Sequence, residues 1–268
     1  MWESIIIEPF INALLFIYDL IGENFGLAII LFTIVIKLIS WPLMSNQIKS
    51  SKALQDMQSD PDWIAIQKKY KNDRDKLAQE QMSFYKEKGI SPFASCLPTL
   101  IQFPIIIGLY QSIIQTMGNA PLQMVNLIPK VSPWLKDLFS FIPGLQNPLS
   151  LIPLNSQFLW MDIGRPERIF IPGISFGIPV LAIIVAITSY LQTKLIATPT
   201  AGDSQSNQMS GMMNIYMPLL MGWFAYSLAS GLALYFLASN LFSIFQYAVL
   251  GRFDFKNLFP KKKVEVKK

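Results

Sequence analysis

The chain has 268 residues, 52% of them hydrophobic and only 15% charged, with a formal net charge of +5; an average soluble domain is about a quarter charged. A mean hydropathy of +0.39 therefore points to a solvent that is partly lipid, and it excludes intrinsic disorder except over the last few residues. With no histidine and one cysteine, Cys96, the chain cannot build histidine triads, imidazole metal sites, internal disulfides or multi-thiolate metal sites.

The opening stretch, 2–20, is amphipathic. Ser4, Glu8, Asn12 and Asp19 fall within about 80° of one another on a helical wheel, and Ile6, Ile7, Phe10, Leu14 and Ile17 occupy the remainder. An acidic stripe of this kind suits an interfacial helix over residues 1–24; a sixth span is the alternative. The segment starts without Lys or Arg, so it does not read as a cleaved signal peptide.

A spanning helix needs about 17–25 mostly apolar residues. Five stretches meet that length, at 25–44, 95–117, 177–196, 212–228 and 231–250. The last two are separated by Ala229 and Ser230 alone, which requires a tight helical hairpin. The expected fold is therefore all-α: a five-helix transmembrane core over 25–250 preceded by the interfacial helix.

Segment 45–90 carries nine basic and seven acidic residues and no glycine before Gly89. Its composition predicts a helix continuing from the first span to about residue 58 and a second from 62 to 88. Asp60 supplies the N-cap of the second and Pro61 its first residue. The product is a charged antiparallel helical hairpin standing in water, either a plain solvated surface or a docking platform for a cytoplasmic arrival. Segment 118–176 holds eight prolines and reads as no regular domain. Within it, 134–141 reads as a short amphipathic helix on the headgroups, with Trp160 as a second anchor. The tail, 251–268, carries seven basic residues, among them Lys261, Lys262 and Lys263. It is a positive-inside determinant, with anionic lipid or ribosomal RNA as alternative partners.

Basic residues also set the orientation. Residues 1–25 have none and 118–176 have four, against nine in 45–90 and seven in the tail. Five spans then place the N-terminus outside and the C-terminus in the cytoplasm.

The polar residues within the spans are the candidate site. Lys37 is the one charge at depth in the first span, and Thr33 and Ser40 share its helical face. Thr188 and Gln192 lie four apart in the third span, with Ser189 adjacent, while Ser239, Ser243 and Gln246 repeat the four-and-three spacing in the fifth, beside Asn240. Burying one ionisable residue costs about 2.5–3.5 kcal/mol on insertion scales. No carboxylate lies within a span to offset Lys37. A water-filled recess open to the cytoplasm satisfies such stripes better than lipid; snorkelling of Lys37 and interhelical hydrogen bonds are the simpler uses. Prolines at 42, 98, 104, 179 and 218 predict kinked helices with room to move.

These residues resemble the YidC-type membrane protein insertases of bacteria and organelles. Thr33, Lys37 and Trp41-Pro42-Leu43 are similar to the family's first core helix, and Gln79 to Met82 with Tyr85-Lys86 to the close of its cytoplasmic hairpin. The run from Gly89 to Pro104, ending at Leu109-Tyr110, is the most telling. Phe158 to Asp162, Gln192, Met217-Pro218 and Gly231 to Tyr235 with Ser239-Asn240 complete a likeness over residues 8–255. It implies a hydrophilic groove open to cytoplasm and lipid but closed outside, which receives the polar segment of a nascent membrane protein while its hydrophobic segment enters lipid. Ribosomes, other translocon components such as a Sec channel, and membrane lipids are implied partners; no cofactor and no DNA are implied. The family usually has arginine where this chain has Lys37, which keeps the charge but gives up the bidentate fork. Its usual asparagine before proline is Ser91 here, and the large extra domain of some Gram-negative members is absent.

The runner-up is a small-solute or ion transporter, which calls for repeated halves and broken helices; no internal repeat is visible. Intramembrane proteolysis lacks its histidine or aspartate, and Cys96 reads as a small buried residue.

Overall fold

The computed structural model describes residues 1–45, 53, 56–57, 60–70, 73–89, 97–117, 130, 154–170, 172–173, 177–196 and 205–250. A π-helical turn, Glu3–Ile7, runs into helix α1 (Glu8–Leu20). Gly22 and Glu23 then adopt φ of 76° and 61°, and the Asn24 side chain accepts from Leu27 N at 3.0 Å to cap α2 (Phe25–Ile39). The two helices meet at 120°. Left-handed backbone at Gly22 is what allows so abrupt a corner.

One face of α1 is buried, at Ile7, Ile11, Leu14, Leu15 and Tyr18. Asn12, expected on an exposed acidic stripe, is only 3% exposed. Its amide donates to Glu8 O at 2.6 Å and to Lys130 O at 3.0 Å, so the polar groups of α1 do not share one environment. A pair of hydrogen bonds to main chain makes its burial tolerable.

Helix α2 stops at Ser40, and a short helical stretch follows at 41–45. The continuation to residue 58 falls largely outside the described residues. The helix expected over 62–88 is two: α3 (Pro61–Lys69) and α4 (Arg74–Glu87). Asp60 caps α3 as expected, accepting from Asp62 N at 3.0 Å. Asp73, however, turns out of the helix and caps α4 by accepting from Lys76 N at 3.1 Å. An aspartate favours capping over a helix interior, because its carboxylate competes for nearby amides. The pair has its own small core, in which Trp63 lies 5.7 Å from Phe84 and Met57 is buried beside them. Lys88 Nζ meets Asp60 Oδ2 at 3.0 Å and joins the end of one helix to the start of the other.

The remaining helices are α5 (Leu97–Thr116, with Pro104 inside), α6 (Val180–Ile196), α7 (Gln205–Ser227, with Pro218 inside) and α8 (Ser230–Val249). Among the described residues, Ser230–Val249 is by itself long and apolar enough to cross a bilayer, with mean hydropathy 1.5. The apolar run Val180–Leu195 is shorter. Helix α8 stands in the middle and packs on α2, α5, α6 and α7, while α1 packs on α2 and α5. The core where they meet is apolar: Phe25, Ile29, Leu109, Ile113, Leu232 and Val185 are fully enclosed. Helices α6 and α7 approach closely at Gly222, where a Cβ would come within 3.0 Å of the Ala186 Cβ.

Segment 118–176, expected to be irregular, contains a two-stranded antiparallel hairpin of β1 (Gln157–Phe158) and β2 (Met161–Asp162). An isolated bridge pairs Ile169 with Ile178. The amphipathic helix expected at 134–141 lies outside the described residues, as does the tail from 251.

Candidate functional site

The hairpin closes one end of the bundle. The Phe158 ring lies on Gly26, where an added Cβ would come within 2.2 Å of it. Ile163, fully buried, sits on Gly231 in the same way, at 2.7 Å. The tight α7–α8 turn is stitched to this strap by main chain. Ser230 N donates to Arg165 O at 2.8 Å, Gly231 N to Ile163 O at 3.0 Å, and Ser230 Oγ to Asp162 O at 2.5 Å. Glu167, 6% exposed, accepts from Leu181 N at 3.1 Å at the start of α6 and from the Trp160 indole at 2.9 Å. Trp160, half exposed, thus serves the strap as well as any interface. Nothing in the local sequence signalled Glu167; its role depends on bringing Leu181 and Trp160 together.

Toward the opposite end, a recess of about 30 Å³ lies between α2, α5 and α8. Its polar lining is Thr33, Lys37, Ser40, Gln102 and Tyr235, and its apolar lining is Ile36, Leu43, Met44 and Ile105. Helical spacing brings Thr33, Lys37 and Ser40 to one wall, since residues three and four apart share a face. Lys37 is 8% exposed and donates to Ser243 Oγ on α8 at 3.2 Å. Among the described residues no carboxylate pairs with it. Thr33 Oγ1 and Ser40 Oγ donate back to Ile29 O and Ile36 O, at 2.6 and 2.7 Å, so their donors are spent within α2 and lone pairs remain to face the recess. An ammonium carries three donors, and Ser243 takes one.

Gln102 and Tyr235 were not among the expected site residues. The Gln102 amide donates to the Tyr235 hydroxyl across α5 and α8, and Ser239 shares the same hydroxyl. A signal was present: Gln102 is an uncharged polar residue inside the second apolar run, between Pro98 and Pro104. It is the same signature that marks Thr188, Gln192 and Gln246 in their own apolar runs.

The nine expected residues are thus sorted. Thr33, Lys37 and Ser40 line the recess; Ser243 joins through Lys37, and Ser239 through Tyr235. Thr188 and Asn240 bond to each other at 3.3 Å, tying α6 to α8. They do not line the recess, and neither do Gln192 and Gln246. Those two instead hold buried polar atoms with no hydrogen-bond partner: Gln192 Oε1, and both Oε1 and Nε2 of Gln246.

Among the described residues, apolar helices surround a buried cation without a carboxylate partner, with a polar recess on one side and a hydrogen-bonded strap on the other; this is the make-up of a helical membrane protein. The comparisons place it further. Residues 16–257 match the model of the 60Kd inner membrane protein family, and the chain belongs to that family. It is 30% identical to the membrane protein insertase MisCA of Bacillus subtilis (strain 168), over 95% of this chain and 81% of that protein. It is 31% identical to membrane protein insertase YidC 2 of Listeria innocua, over 96% of this chain and 74% of the relative. The crystal structure of an active YidC insertase with its first transmembrane domain resolved superimposes with a TM-score of 0.56 at 26% identity. That alignment covers 93% of this chain, which spans about half (46%) of the crystallised one.

Proposed function

We infer that the chain is a membrane protein insertase, as its relatives over nearly its whole length are named. The observation that carries the mechanism is Lys37, buried in an apolar bundle at the wall of a polar recess, with no carboxylate beside it among the described residues. A group so costly to insert is retained where an incoming anion can use it. We propose that the recess is the resting form of a groove entered from the cytoplasm. A client's translocated polar segment enters it, and Lys37 attracts acidic side chains in that segment. The hydrogen-bonded strap at the other end supports a groove closed toward the outside. Shortening the apolar path lowers the desolvation barrier for the polar segment. Transfer of the client's own hydrophobic helix to lipid supplies the driving force, so no nucleotide and no cofactor enters the scheme.

The proposed topology has five spans, on α2, α5, α6, α7 and α8, with N-terminus outside, C-terminus inside and α1 on the interface. The bend of 120° between α1 and α2 supports the last point. Helices α3 and α4 then stand in the cytoplasm as the first contact for arriving clients. Ribosome, Sec translocon and lipids are proposed partners. No observation favours the transporter reading.

Reconstitution tests the function directly. Liposomes containing the purified chain, without nucleotide, are expected to insert a single-span client with a short acidic tail faster than protein-free liposomes. Equal rates with and without the chain contradict the reading.

A further inference from the structure

Gln246 is fully enclosed, yet neither its amide oxygen nor its amide nitrogen has a partner. Leaving such groups unmade is costly, and a methionine or leucine at this position of α8 avoids that cost. The side chain stands three residues beyond Ser243 on the same helical face, about 4.5 Å along the axis at 1.5 Å per residue. Ser243 in turn holds the Lys37 ammonium. Ser243 and Gln246 are therefore successive buried polar rungs on one face of α8, the first tied to Lys37 and the last unsatisfied.

The chemistry of that rung names its ligand. A primary amide with both donor and acceptor free is complementary to a peptide group, which offers one N–H and one C=O. A carboxylate, being acceptor-only, uses half of it. We propose that Gln246 is a main-chain subsite of the insertase: it hydrogen-bonds a peptide group of the client next to the acidic side chain held by Lys37. The proposal rests on the groove reading above. As the bundle stands, the amide is enclosed and does not line the recess of about 30 Å³, so a client reaches the subsite only as α8 parts from the helices packed on it. That movement also relieves the orphaned amide. Lys37 thus selects for charge, whereas Gln246 reads backbone and serves clients of any sequence.

The test pairs a groove variant with a change in the client backbone. A chemically synthesised single-span client is prepared twice, with an amide or with an ester at the peptide bond following its tail carboxylate. The ester removes one N–H donor and leaves the side chains intact. Inserted by the full chain in liposomes, the amide client is expected to go about two- to twelvefold faster, the worth of one hydrogen bond at about 0.5–1.5 kcal/mol. With Gln246→Met, both clients are expected to insert at one common, slower rate, while the variant's thermal midpoint stays at or above that of the parent. Rescue by Gln246→Asn toward amide preference supports recognition by the amide group itself. If the parent chain does not distinguish amide from ester, or Gln246→Met keeps the preference, the subsite is wrong. The groove is judged apart from this, by whether Lys37→Ala slows acidic-tailed clients specifically; where it does, failure of the ester comparison removes the main-chain subsite alone.

Discussion

Among the described residues Lys37 is held by one hydroxyl, Ser243 Oγ, while Thr33 and Ser40 have turned their own donors back into α2. This leaves the ammonium as the strongest donor on the recess wall. Two unit charges 4 Å apart attract by about 1 kcal/mol even in water and by more in a protein. Lys37→Ala is therefore expected to slow insertion of clients with acidic translocated tails by about fivefold or more, and to leave clients with neutral tails unchanged. Lys37→Arg keeps the charge and is expected to stay within about twofold of the parent, which rate measurements on paired acidic and neutral clients check. Uniform behaviour of the three proteins toward both clients contradicts an electrostatic role. Lys37, Thr33 and Ser40 were legible from spacing alone, because a charge within an apolar run is conspicuous and helical periodicity fixes its companions. The pairing with Ser243 was not, since it joins residues 206 apart in the chain.

The strap and the paired helices α3 and α4 make separate predictions. Gly26 has no room for a side chain against the Phe158 ring. Gly26→Val is expected to destabilise the protein by about 1–3 kcal/mol, the usual range for overpacking a filled core, as a lowered thermal midpoint in detergent. In the α3–α4 pair, the hydrogen bond from Lys88, then the amide of Asp62, hold the Asp60 carboxyl below its ordinary 3.8. The same bond, accepted by Asp60, holds the Lys88 ammonium above 10.5. The Asp60 contribution is present above pH 3.8 and fades as pH falls through the lowered value. The Lys88 contribution is complete below pH 10.5 and fades as pH rises through the raised one. The urea midpoint for unfolding of the pair, followed by fluorescence of Trp63 in its core, is accordingly expected to be highest between these limits, and Lys88→Met is expected to flatten the acid limb. Both charges are exposed, so the effect is modest and weakens with salt. The sequence showed the Asp60 cap plainly. It hid the break at Asp73, where capping prevails over helical composition.

Across the bundle, what hydropathy made readable was the presence of apolar helices and which of them carry polar stripes. The stripes proved to be unlike one another. On α2 and α8 they meet around Lys37, whereas Thr188 and Asn240 spend themselves on each other. Asn12 looked like part of an exposed stripe and instead ties α1 to residue 130. The packing of Glu167 and of the strap at 157–163 was invisible because its partners, Leu181, Gly26 and Gly231, come from distant segments. Local pattern names the helices; tertiary pairing decides which polar groups are structural and which stay available. The claim that depends on this most is that Ser40 and Gln102, on two walls of the recess, border a path taken by client chains. Placing a photo-crosslinking residue at each, with a ribosome-stalled membrane protein presented to the full chain in native membranes, tests it most directly. Covalent capture of the stalled client at both positions, competed by a second client, is the expected result; capture of lipid alone contradicts the groove.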